Sequence, residues 1–170
     1  AGQTPRVIVP DNVRIIDGTG APSVANGRLV IEGDRIAAVG AADAVSIPAD
    51  AERLDLAGRT ITPGLIDLHF HIGDDPKMAL RQLSHGVTAF RDPGQWEEKF
   101  AGLKKMIADD GLPGPRIFTA GPHIDGERPA YPDDAVVARD ATEARWLAER
   151  SIAQGASAIK IYFRLPMASA

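Results

Sequence analysis

His69 and His71 stand two residues apart in the stretch ITPGLIDLHFHIG, residues 61–73, and make up half of the four histidines in a chain of 170 residues. Successive side chains of an extended strand alternate between its faces, so this spacing turns both imidazoles to one side, in line with Asp67 and Leu65. Two ring nitrogens on one face suit a common metal ion; the alternative is two unrelated histidines, one packed and one exposed. Asp67 either orients an imidazole as an outer hydrogen-bond acceptor or makes a structural hydrogen bond of its own.

A second group lies far along the chain. Lys160 sits in SAIKIYF between Ile159 and Ile161, so alternation points it away from the isoleucines and to the side of Ala158 and Tyr162. A lysine within a buried strand must be neutralised or paired, whereas one at a strand end reaches out to water. Tyr162, on the lysine's face, either positions a substrate through its hydroxyl or packs. His123, in GPHIDGERPAYP, is a substrate contact at the mouth of a site or an exposed loop histidine. His85 precedes Gly86 at a helix end and reads as a C-terminal capping residue. Arg91 and Asp92 close the strand VTAFRD, where they form a salt bridge or line a pocket.

The elements that must carry these groups fall into two rhythms. Up to residue 62 the chain gives short β-branched runs broken by Gly, Asn and Asp, with no helical periodicity, and reads as all-β. RLVIEGDRIAAVG is two strands joined by a tight hairpin at Gly33-Asp34, and DAERLDLAGRTITPG carries one more short strand. From residue 63 onward strands alternate with helices. GLIDLHF is a short buried strand, PKMALRQLSHG a helix with Met78, Leu80 and Leu83 spaced for burial, and VTAFRD a strand. A helix over QWEEKFAGLKKMIADDG, the strand PRIFTAG and a long Pro/Gly-rich loop, PHIDGERPAYPDD, follow, the loop being long enough for a lid. Asp140 and Glu143 make a capping box for the helix RDATEARWLAERSIAQG, which Gly155 ends, and AIKIYF is a fourth strand. Four strands separated by helices imply a parallel sheet, open or part of a (β/α) barrel.

Composition narrows the chemistry. The net charge is -4, and no Lys/Arg run or aromatic-basic interleaving tracks a phosphate backbone, so neither nucleic acid nor an anionic membrane is an expected partner. With no cysteine, any metal site is built from nitrogen and oxygen donors. No apolar stretch has the length of a membrane span. The start AGQTPRVIVP lacks a signal-peptide pattern, which fits a cytoplasmic protein or a periplasmic or secreted one whose signal was removed before Ala1.

Taken in order, VIEGDRIAAVG, ITPGLIDLHFHIG, HGVTAFRD and IKIY resemble the metal-dependent amidohydrolase superfamily, closest to its imidazolonepropionase-like and Xaa-Pro dipeptidase-like branch. The resemblance implies that His69 and His71 bind one ion of a binuclear centre, most often zinc. It implies that Lys160, carboxylated by carbon dioxide, bridges both ions as a carbamate, and is thus both metal ligand and catalytic group. His123 and Tyr162 become substrate contacts. The implied reaction is hydrolysis of a carbon-nitrogen bond in an amide, lactam or small peptide-like substrate by a metal-activated water. The implied fold is part of a small β-sandwich domain, residues 1–62, followed by the first half of a (β/α)8 TIM barrel, residues 63–170. A full barrel takes about 250 residues, and the family's later ligands, two histidines and an aspartate, are not found here. The chain is therefore expected to be an N-terminal portion, inactive by itself and able to form homo-oligomers. Alternatives are a cyclic-imide or dihydropyrimidine-type hydrolase, a non-catalytic half barrel that assembles with a complementary chain, and a mononuclear structural metal clip.

Overall fold

A computed structural model describes residues 6–72, 75–166 and 168. The chain divides into two compact units, Ala1–Pro63 and Gly64–Ala170.

The first unit is one six-stranded sheet built around the long strand β3 (Val24–Glu32). On one side β3 pairs antiparallel with β4 (Arg35–Ala41) through the hairpin at Gly33-Asp34, with Glu32 opposite Arg35. Along its other side it pairs antiparallel with β1 (Val7–Asp11) and then with β2 (Val13–Ile15). The single strand expected after Asp50 is two: β5 (Glu52–Asp55), parallel to β1, and β6 (Thr60–Ile61), parallel to β2. Two apolar clusters hold the sheet, Val9 with Val30 and Val45, and Val13 with Ile15 and Leu29. Between them Asp11 takes the Arg28 Nε at 3.0 Å and an Arg53 guanidinium nitrogen at 2.7 Å, while Arg28 also donates to the carbonyls of Ala42 and Val45.

The second unit is α/β. Strands β7 (Leu65–Asp67), β8 (Val87–Asp92) and β9 (Arg116–Thr119) form a parallel sheet in that order, and helices α1 (Pro76–Ser84) and α2 (Glu97–Ala108) make the crossovers. Helix α1 opens on Asp75, whose carboxylate accepts the Lys77 N–H, with Pro76 in the first turn where its missing N–H costs nothing. It closes on His85, whose ring Nδ1 lies 2.8 Å from the Arg81 carbonyl oxygen. The core gathers Phe90, Phe100, Leu103, Ala79 and Ile72. Leu80, expected inside, is 49% exposed, because the face turned to the sheet is that of Ala79, with Met78 packed beside it. Strand β7 is not buried either: Leu65 and Ile66, and Leu68 just after it, are about 60% exposed, β7 being an edge strand of the sheet.

The long loop is more structured than its composition suggests. His123–Asp125 form β10, parallel to β11 (Ala135–Val137), with a single 3-10 turn at Pro132–Asp134 between them. Helix α3 (Ala141–Ala153) follows; Asp140 caps it by accepting the Thr142 and Glu143 N–H groups. The reciprocal half of the capping box is displaced by one residue, for the Glu143 carboxylate accepts the N–H of Arg139 rather than that of Asp140. Gly155 follows the C-terminal cap, as expected. Residues 158–163, expected as a fourth strand, contribute one isolated bridge, Ile161 opposite Ile124. The reason lies in the neighbour: the chain kinks between β9 and β10 at residues 120–122, so the segment meets it in two pieces. Ser157 N–H reaches the Thr119 carbonyl, and beyond the kink Ile124 N–H reaches that of Lys160 and Tyr162 N–H that of Ile124.

Candidate functional site

Alternation outlives the hydrogen-bonded part of β7. Phe70 packs against the core, edge to face with Phe90, and Ile72 is buried in it, so the side chains between them are turned the other way. His69 and His71 thus emerge on one face, their ring centroids 5.3 Å apart. Both line a pocket of ≈ 360 Å³, to which His123, Lys160 and Tyr162 also contribute. The five residues expected at a site are therefore brought to one place.

The partner of His71 is Asp92, at the end of β8, and not Asp67. Asp92 is fully buried; one carboxylate oxygen lies 3.0 Å from the His71 Nδ1 and the other accepts the Ile72 N–H at 3.0 Å. An ionised carboxylate only accepts, which puts the proton on Nδ1 and leaves Nε2 as a lone-pair donor. Asp67 instead accepts the His69 backbone N–H and shapes the turn out of the strand. Arg91 makes no ion pair with Asp92, its Nε donating to the Leu68 carbonyl.

His123 is not on an exposed loop. Only 6% of its surface is accessible, because it stands on β10 with its ring stacked on Tyr162, centroids 4.7 Å apart and planes 16° apart. Tyr131 meets both rings edge-on. Among the described residues the buried His123 Nδ1 has no hydrogen-bond partner. Burial, then the Lys160 ammonium, pushes the His123 pKa down, which favours the neutral imidazole. Burial, followed by the hydrogen bond and charge of Tyr131, raises that of the Tyr162 hydroxyl. The Lys160 Nζ lies 5.5 Å from the centre of the Tyr162 ring.

Residues outside the expected set complete the pocket: Gly94 and Gln95 from the turn after β8, and Tyr131 and Asp134 from the segment after β10. That segment is fastened to the start of α2, where Trp96 Nε1 donates to the Asp133 carbonyl at 2.7 Å and Lys99 pairs with Asp134 at 3.0 Å. Among the described residues no three His, Cys, Asp or Glu side chains lie within reach of one metal ion. What is present fits a divalent ion in part: two imidazoles on one face, one of them oriented by a carboxylate, and a lysine across the same pocket.

The same architecture recurs in known proteins. A candidate prolidase from Bifidobacterium longum superposes with a TM-score of 0.75 at 28% identity, over 94% of this chain and 41% of that one. Molinate hydrolase shares the fold, with a TM-score of 0.76 over 99% of this chain and 50% of that one. In sequence, a deacetylase of Agrobacterium fabrum is 35% identical over 109 residues, 60% of this chain and 26% of that protein. An imidazolonepropionase of Paracoccus denitrificans is 52% identical over 50 residues, 29% of this chain and 12% of that enzyme. No protein-family model matches. On sequence and fold together, the chain is similar to members of the amidohydrolase superfamily, part of whose length it spans. Other relatives it resembles are named imidazolonepropionase, enamidase, N-acyl-D-glutamate deacylase and N-substituted formamide deformylase. The matched stretches cover about a quarter or less of these curated relatives and no more than half of the two structures named above. No helix among the described residues is long and apolar enough to cross a membrane.

Proposed function

We propose that these residues are the opening half of a metal-dependent amidohydrolase barrel, with part of a small β-sandwich domain before it, and that the whole protein hydrolyses a carbon-nitrogen bond in a small amide-, lactam- or peptide-like substrate. The observation that carries the reading is the joint presence, in one pocket, of His69, His71 held by Asp92, and Lys160. His69 and His71 would hold one divalent ion, zinc by the resemblance to the superfamily. Lys160, once carboxylated by carbon dioxide with loss of a proton, would add an anionic ligand to the divalent metal held there. Divalent ions held there supply Lewis acidity toward the scissile carbonyl.

The chain's own groups do the rest. Asp92 keeps the His71 Nε2 free of its proton and aimed at the pocket. His123 and Tyr162 make one wall against which the substrate lies, and the neutral His123 ring is available as a hydrogen-bonding partner that adds no charge. The remaining ligands and the proton-transferring aspartate belong to later strands in the superfamily pattern, so the 170 residues by themselves bind metal without turnover.

Metal content tests this. Zinc bound per chain is measured with and without bicarbonate for the wild type, Lys160→Ala and the double variant His69→Ala/His71→Ala. Bicarbonate is expected to raise zinc uptake in the wild type, Lys160→Ala to lose that increment, and the double variant to lose uptake at this site. Equal zinc in wild type and Lys160→Ala ends the carbamate assignment, and equal zinc in the double variant ends the metal assignment.

A further inference from the structure

Asp125 is fully buried, two residues past His123 on β10, and it faces no cation: among the described residues no lysine or arginine side chain pairs with it. Removing a carboxylate from water without a counter-charge is costly, and an apolar side chain would fill the space at less expense. What the carboxylate has instead is backbone. One oxygen accepts the N–H of Gly126 and of Arg164, each at 2.9 Å, and the other accepts the N–H of Ala130 at 3.0 Å.

The positions of those amides are informative. Ala130 adjoins Tyr131, Arg164 lies two residues past Tyr162, and Asp125 lies two residues past His123. Each of the three rings that pack together in the pocket is therefore within two residues of an atom this one carboxylate fixes. A second tie runs beside it. The Arg164 guanidinium donates to the Arg128 carbonyl, and a Cβ on Gly126 would stand 2.0 Å from the Arg164 carbonyl oxygen, so the two segments touch backbone to backbone.

We propose that Asp125 is a positioning residue: by gathering amides from the segments on either side of the pocket it holds Tyr131 and Tyr162 against His123 and so builds the aromatic wall of the site. This rests on the reading of the pocket as the substrate site. Charge-assisted bonds to backbone N–H groups are directional and short, which a hydrophobic plug is not, and a wall made of two loops needs that direction to stay in one arrangement.

The test is proton NMR of the imidazole C–H signals of the chain, whose four histidines are assigned by substitution. Stacking on Tyr162 shifts the His123 signals upfield, and Tyr162→Leu gives their unstacked position. Asp125→Asn is expected to move them most of the way to that position, while the His69 and His71 signals, and their response to added zinc, stay as in the wild type. His123 signals unchanged in Asp125→Asn overturn the proposal. If Asp125→Asn does not fold, Gly126→Ala decides: it keeps the carboxylate but forces the Arg164 segment away, so displaced His123 signals with undisturbed His69 and His71 support the wall, and unmoved ones overturn it. Failure of zinc to move the His69 and His71 signals in the wild type counts against the metal reading and leaves the outcome for Asp125 standing.

Discussion

Asp92 bridges His71 to the backbone: its two oxygens lie 3.0 Å from the imidazole Nδ1 and 3.0 Å from the Ile72 nitrogen, with no part of the carboxylate exposed. The bridge ties the segment that follows β7 to the end of β8, 20 and 21 positions along the chain, so the direction of the ring is set by the neighbouring strand and not by its own segment alone.

Replacing Asp92 by Ala removes the acceptor that fixes the tautomer and also strands the buried Ile72 N–H. Zinc affinity is expected to fall by about 10- to 100-fold, read by competition with a chelator of known affinity, with stability reduced by about 1–3 kcal/mol. Unchanged affinity in a folded Asp92→Ala protein would mean that His71 needs no orienting partner.

Gly94 has a different role, since it leaves room for an imidazole. A Cβ there would stand 1.9 Å from the His123 Nε2 and 2.4 Å from its Cδ2, so Gly94→Ala must push the ring out of its slot against Tyr162. Because burial is the leading cause of the depressed His123 pKa, that pKa is expected to rise toward the ordinary histidine value in Gly94→Ala. The measurement is an NMR titration of the metal-free protein. A pKa that stays where it is in the wild type would show that the slot does not hold the ring.

Acid stability should trace to Asp11. The Arg28 hydrogen bonds, reinforced by Arg53, lower its pKa from 3.8 to about 2 against an opposing effect of burial. A depressed carboxylate stabilises the fold fully above its unfolded value and loses that contribution as pH falls through the folded one, so the window is about pH 4 down to about pH 2. Asp11→Asn is expected to be less stable near neutral pH, by about 1 kcal/mol once solvent screening of the exposed Arg53 is allowed for, and to lose less between pH 4 and 2. Melting curves of the two proteins across that window decide the matter, and parallel pH dependence would remove Asp11 as the cause.

What the sequence made legible was local. The hairpin at Gly33-Asp34, the caps at Asp140 and His85, and the common face of His69 and His71 each depend on a few neighbouring residues, and they stand in the fold as read. What escaped it was set across distance. Asp92 looked like half of an Arg-Asp pair because its real partner, His71, is 21 positions back, in the segment after β7. His123 read more readily as an exposed loop residue because Pro and Gly surround it, yet pairing with Ala135–Val137 makes its segment a strand and buries it. Lys160 and Tyr162 reached the pocket without a regular strand, since the kink at residues 120–122 interrupts their partner.

The alternation from His69 to Ile72 makes this stretch tolerant of one kind of change and intolerant of another. Imidazoles and core plugs take turns along four residues, with Phe70 and Ile72 anchoring what His69 and His71 display. Exchanging one plug for another of similar bulk leaves the display in place. Inserting or deleting a single residue after Asp67 reverses the parity, sending the imidazoles into the core and the phenyl ring into the pocket. Descendants of this sequence are thus free to vary in the identity of these plugs but bound in the length of the segment.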